Sequence, residues 1–171
     1  MKCLLILDRY GYKINDEKYK KIVLDKYDEV EIIYTKYEDF IIRKVRNWAC
    51  VGNILMHILR WIKSMNYAFK ALRYKEIDSI ICLNPLVGFF LGILNVNKRN
   101  IIFAGFLFEN KRNKLYYLIR KKLTKFSLSR IEKVICYGSA EVRKYEKIFK
   151  FDKKFLFVPY GIDYMNQKSY T

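Results

Sequence analysis

With 171 residues, 52% of them hydrophobic, the chain can bury one substantial core, so a single domain is expected. Lys and Arg number 34 against 17 for Asp and Glu. The resulting charge of +17 either faces an anionic partner (nucleic acid, an acidic membrane surface, a phosphorylated substrate) or is carried as solvated surface. One histidine excludes the three-histidine zinc arrangement, and the four cysteines form no C-x-x-C pair; three of them, Cys3, Cys82 and Cys136, fall in expected buried strands, so they read as small core hydrophobes of a reducing compartment.

The first apolar run, residues 3–7, reads as a buried strand; Asp8 stops it too early for a signal peptide's core. The loop that follows, Asp8-Arg9-Tyr10-Gly11-Tyr12, lies where open parallel sheets bind ligands, outside the carboxyl ends of the strands. Tyr10 and Gly11 are binding candidates by that position. No G-x-G-x-x-G occurs, which argues against an ordinary NAD-binding domain. Residues 15–26 suit a helix capped by Asn15, with Tyr19, Ile22 and Val23 turned inward, and 30–34 suit a second strand.

Residues 38–74 read as helical, basic and aromatic, with a break near Gly52-Asn53. In the second half Val51, Leu55, Ile58, Ile62, Met65, Phe69 and Leu72 recur every three or four positions, with Arg60, Lys63, Lys70 and Arg73 between them. That is the pattern of a helix packed on a sheet through its apolar stripe, its cations in water. It is also the pattern of an interfacial helix. The packed helix is the reading preferred for this half, and residues 40–48, where bulky apolar groups and cations crowd together, are the better membrane-surface segment. His57, beside Ile58, reads as a boundary residue rather than a catalytic one.

Residues 79–83 form a third expected strand, after which Asn84 caps and Pro85 opens an apolar helix reaching 94. That run is well short of the roughly 18 residues of a membrane span, so Gly88 and Gly92 at G-x-x-x-G spacing point to close helix–sheet packing. A fourth strand, 101–104, leaves through Gly105-Phe106-Leu107-Phe108-Glu109. Leu115, Leu118, Ile119, Lys122, Leu123 and Phe126 outline the next helix. Val134-Ile135-Cys136 is another buried strand; Gly138 turns the chain, Ser139 is placed to cap, and Glu141 suits the helix dipole. Val142, Tyr145, Ile148 and Phe149 give that helix its apolar face, and 155–158 form a last buried strand ended by Pro159. Strands alternating with helices make the class α/β, with a Rossmann-like, doubly wound parallel sheet and helices on both faces.

The stretch 131–163, strand, helix, strand and a Val158-Pro159-Tyr160-Gly161-Ile162-Asp163 turn, resembles the end of the N-terminal domain in the retaining glycosyltransferases of family 4, which have the two-domain GT-B fold. The resemblance implies that residues 1–163 are the acceptor-side domain. Residues 164–171 would begin a linker to a nucleotide-sugar domain that the sequence does not contain. It implies transfer of a sugar from a nucleotide-diphosphate donor to a polysaccharide or lipid-linked acceptor, without cofactor or metal. It also implies a cytoplasmic location, peripheral on the inner membrane face. The residues implied to line the site are Tyr10, Gly11, Asn84, Gly105 and Ser139, with Gly161 and Asp163 shaping the hinge. Where the family places a histidine near the reacting sugar, the nearest ionisable group here is Glu109, the catalytic candidate. Two other classes stay open: a non-catalytic basic scaffold subunit at a membrane surface, and a nucleic-acid binder, ranked last because no RNP-type or helix-turn-helix signature occurs.

Overall fold

The computed structural model describes residues 1–8, 27–36, 51–109 and 113–158. The expected helix over 15–26, the segment 40–48, and Tyr10, Gly11, Gly161 and Asp163 lie outside these residues. Short runs of Ile, Leu, Val and Phe become six strands: β1 (Lys2–Asp8), β2 (Glu29–Thr35), β3 (Ser79–Cys82), β4 (Asn100–Ala104), β5 (Lys133–Cys136) and β6 (Phe155–Phe157). All pair in parallel, in the order β2-β1-β3-β4-β5-β6. The chain steps from β1 out to β2, returns to the other side of β1, and then lays down β3 to β6 in sequence. This is a Rossmann-like α/β sheet.

Position in the sheet explains each strand's composition. β1 has a neighbour on both sides, and Cys3 to Leu7 are at most 4% exposed, a run with no polar alternation. β2 and β6 are edges. Glu29 and Glu31 of β2 face solvent, and in β6 Phe155 alone is buried while Leu156 and Phe157 are exposed. The expectation that 155–158 is a buried strand is therefore corrected: with one neighbour and a helix on one side, β6 covers only the residue that meets the core.

The helices are α1 (Gly52–Arg73), α2 (Pro85–Leu94), α3 (Lys114–Ser129) and α4 (Ser139–Phe149). All four share one core with the same face of the sheet, where Leu4, Ile6, Ile80, Ile101, Phe103 and Val134 meet Ala68 and Ala71 of α1, Leu91 of α2, Leu128 of α3, and Tyr145 and Phe149 of α4. Among the described residues, then, the helical layer lies on one face. The sheet's other face carries Cys3, Leu5 and Leu7, buried, and Ile81, Ile102 and Ile135, half-buried.

Two helices bury a different face from the one their periodicity indicates. In α1 the buried residues are Gly52, Ser64, Ala68 and Ala71, while Val51, Ile58, Ile62, Met65 and Phe69 are exposed and only Leu55 and Leu72 are half-buried. In α3 the buried residues are Thr124, Ser127 and Leu128, with Leu115, Leu118, Ile119, Leu123 and Phe126 exposed. The cause is contact distance. Small side chains let a helix approach its neighbours closely, and the larger apolar residues are left outside that contact.

α2 shows the same economy more sharply. A Cβ on Gly88 would come within 2.7 Å of the Phe103 ring of β4, the helix–sheet contact expected. Gly92 instead meets α3: a Cβ there would overlap the Ser127 hydroxyl and carbonyl oxygen. Ser127 Oγ donates to the Phe89 carbonyl at 2.7 Å, so the helices are bonded where they are closest. Below them the buried Asn95 amide donates to the carbonyls of Arg99 at 2.9 Å and Arg130 at 2.8 Å. The Lys154 ammonium donates to the Leu128 carbonyl at 2.8 Å and the Ile131 carbonyl at 2.7 Å, a cation at the carboxyl end of α3. Burial holds its pKa below the ordinary lysine value.

Candidate functional site

The order reversal at β1 separates the chain's path after β1 from its path after β3, and open parallel sheets bind ligands in the crevice outside those carboxyl ends. Three strands are tied together there. The Thr35 hydroxyl at the end of β2 donates to the Leu7 carbonyl of β1 at 3.2 Å. Asn84, just after β3, donates from Nδ2 to the Thr35 hydroxyl at 3.0 Å. Its Oδ1 accepts the Leu86 and Val87 N–H groups at 3.0 and 2.9 Å, capping α2 ahead of Pro85 as expected. Asn84 and Thr35 are each 1% exposed. The amide therefore ties the carboxyl ends of β1, β2 and β3 together and orders the α2 N-terminus in one step.

Along the same edge, β4 ends in Gly105 at φ +75°, a left-handed conformation that costs an L-residue about 1–2 kcal/mol. Its N–H donates to the Ile135 carbonyl of β5 at 3.2 Å, and a Cβ would sit 3.5 Å from the Tyr137 ring and 3.8 Å from the Leu83 carbonyl. Space would admit a methyl group; the backbone angle is what asks for glycine. The ends of β3, β4 and β5 thus meet around this residue. Beyond it the chain alternates: Phe106 and Phe108 turn into the core, and Leu107 and Glu109 face solvent. The Phe108 N–H donates to the buried Tyr145 hydroxyl at 3.0 Å, and Arg120 donates to the Glu109 carbonyl at 3.2 Å. Glu109 is thereby held on an exposed loop at the carboxyl edge.

At the start of α4 the structure departs from expectation. Gly138 is the N-cap and Ser139 is the first helical residue, exposed. Glu141 reaches back, its Oε2 accepting the Gly138 N–H at 3.2 Å, and the Glu141 and Val142 N–H groups bond the Gly138 carbonyl. Ser139 is not the cap because the helix starts one residue earlier: the Glu141 and Val142 N–H groups already bond the Gly138 carbonyl, and the Glu141 carboxylate holds the Gly138 N–H in return. Cys136, the last residue of β5, is buried. Burial, with the Glu141 carboxylate adding to it, pushes its thiol up to about 12.

Burial likewise pushes the Cys3 thiol up to about 11, against a backbone hydrogen bond from Ile81 that acts the other way. Cys82 is buried too. All three thiols are expected to resist iodoacetamide in the folded protein at mildly alkaline pH and to label on unfolding, with sites assigned by peptide mass spectrometry. Labelling of Cys3 or Cys136 in the folded state at the rate of a free thiol would contradict this.

Of the residues singled out from sequence, Asn84, Gly105, Glu109 and Ser139 lie at one edge of the sheet, distributed over the exits of β3, β4 and β5. Among the described residues no group of three or more His, Cys, Asp or Glu side chains is disposed to hold a metal, and His57 is exposed on α1, in the helical layer. Thr35 and Tyr137 were not foreseen. Their roles depend on which strand ends are neighbours, and the local pattern carries no signal of strand order. No protein-family model matches the chain. A search of curated proteins also returns no match.

Proposed function

We propose that the chain is the acceptor-side half of a two-domain GT-B glycosyltransferase, working at a cytoplasmic membrane face on a polysaccharide or lipid-linked acceptor. The observation that carries this reading is the carboxyl edge of the sheet, where the Thr35–Asn84 tie joins the exits of β1, β2 and β3 and the left-handed Gly105 meets those of β3, β4 and β5. An acceptor bound there would present its hydroxyl to a nucleotide-diphosphate sugar held by a second domain or a partner chain. The acceptor oxygen bonds the anomeric carbon as the bond to the diphosphate breaks. Glu109 is the candidate to take the hydroxyl proton, and cations and backbone N–H groups meet the charge on the departing diphosphate.

The test is sugar transfer by the protein as its native cell produces it, its intact mass determined first, from radiolabelled nucleotide-diphosphate sugars to native membranes. Transfer that is lost in Glu109→Gln supports the reading. No transfer from any donor, with or without partner chains, overturns it and puts the non-catalytic scaffold first. One observation favours that second reading: large apolar residues lie exposed among cations on α1 and α3. Among the described residues no helix is long and apolar enough to cross a membrane.

A further inference from the structure

The outward side of the helical layer is the least ordinary surface of the described chain. α2 sits between α1 and α3: Trp61 of α1 packs edge-on against Phe90 of α2 at 5.9 Å, and Ser127 of α3 bonds the Phe89 carbonyl. Flanking α2 on one side, Ile58, Trp61, Ile62 and Met65 of α1 are about half exposed, and on the other side so are Ile119 and Leu123 of α3. Soluble monomers rarely leave contiguous apolar area of this kind in water.

The charges decide what can cover it. α1 carries Arg60, Lys63, Lys70 and Arg73, and α3 carries Lys114, Arg120, Lys121, Lys122 and Lys125. α1, α2 and α3 contain no Asp or Glu at all. A second copy of the chain would bring this cationic face against itself, which like-charge repulsion opposes. Nucleic acid would satisfy the cations but leave the isoleucines and leucines against phosphates. An anionic bilayer satisfies both, with aliphatic and aromatic groups entering the headgroup–acyl boundary and Lys and Arg meeting lipid phosphates. Arg73 already lies over the Phe69 ring at 4.3 Å, cation and aromatic side by side on the same surface.

We infer that the α1–α2–α3 face docks on an anionic phospholipid surface, with Trp61 and the isoleucines of α1 and the apolar residues of α3 inserted and the flanking cations on the headgroups. This deepens the peripheral location given above and rests on that part of the reading alone. Sugar transfer is measured separately, so failure of one leaves the other standing.

The experiment is sedimentation of the full chain with phosphatidylcholine vesicles with and without phosphatidylglycerol, together with Trp61 emission in a Trp48→Phe background. Binding is expected to the anionic vesicles only, with a blue shift of Trp61. The triple variant Arg73→Glu, Lys122→Glu, Lys125→Glu is expected to weaken it on the order of a hundredfold, about fivefold for each cation removed. Ile58→Ser with Ile62→Ser should abolish the blue shift while circular dichroism stays unchanged, these side chains being already exposed. Three outcomes overturn the inference: no binding to anionic vesicles, binding that both variants retain, or a stable dimer that the serine variant converts to monomer in a protein that binds no lipid.

Discussion

Gly92→Ala is expected to destabilise the fold by about 1–3 kcal/mol although it puts the better helix former into a helix. The two effects oppose each other, and their sizes settle the sign. Replacing glycine by alanine inside a helix gains about 1 kcal/mol. Against that, a Cβ at Gly92 overlaps both the hydroxyl and the carbonyl oxygen of Ser127, with its carbonyl carbon only 2.8 Å away. Backbone cannot rotate aside as a side chain can, so α2 and α3 must separate. Doing so stretches the Ser127–Phe89 hydrogen bond and loosens the packing of Leu91 and Leu128. The measurement is the urea midpoint, with an unchanged slope showing that stability rather than compactness has altered. A second substitution sharpens it. Ser127→Ala removes the hydroxyl overlap but leaves the carbonyl, and it gives up the bond to Phe89. The double variant should therefore recover less than half of the loss. Full recovery, or no loss in Gly92→Ala alone, would mean the helices are free to shift.

Tyr145→Ala is the second large effect, about 3–5 kcal/mol, and it reaches the candidate site as well as the core. Tyr145 is 1% exposed, with the rings of Phe106 at 5.0 Å and Phe155 at 5.7 Å around it. Its removal leaves a cavity bordered by α4, the edge strand β6 and the chain beyond Gly105. Burial, above all, raises the phenol's pKa, so the hydroxyl stays protonated. It accepts the Phe108 N–H at 3.0 Å. Tyr145→Phe keeps the ring and isolates that contribution: a buried N–H without its acceptor costs about 1–3 kcal/mol. The loss should be local as well as global, with the Phe108 amide exchanging its hydrogen faster relative to amides of β1. Unchanged exchange at Phe108 would show that its N–H does not depend on the tyrosine and that Glu109 is positioned by Arg120 alone.

Some of the site could be read without coordinates because it is local. Asn84-Pro85 before an apolar run is a cap and a first helical residue in any setting, and both take those places. Gly105 follows a strand and turns the chain, a role a glycine fills by its own backbone freedom. Ser139 was misread by one position, since Gly138 with Glu141 three residues on closes the helix start equally well and the local pattern does not rank the two. Thr35 could not have been found. Nothing near it in the chain indicates that its hydroxyl lies between Leu7 and Asn84, distant in sequence and brought together only by strand order.

The class of the fold was legible in the residues alone, because short apolar runs alternating with helical periods can bury their surface in few ways other than a parallel sheet with packed helices. So were the burial of Cys3, Cys82 and Cys136 within strands and the α2 cap. Tertiary structure decided the strand order, hence which strands became edges and why Leu156 and Phe157 face water. It also decided which side of α1 and α3 turned inward. Periodicity reports where the apolar residues of a helix lie, whereas burial follows the closest approach of two backbones, and in these helices Ala68, Ala71 and Ser127 permit that approach while the isoleucines of α1 and Leu115, Leu118 and Leu123 of α3 stay outside it.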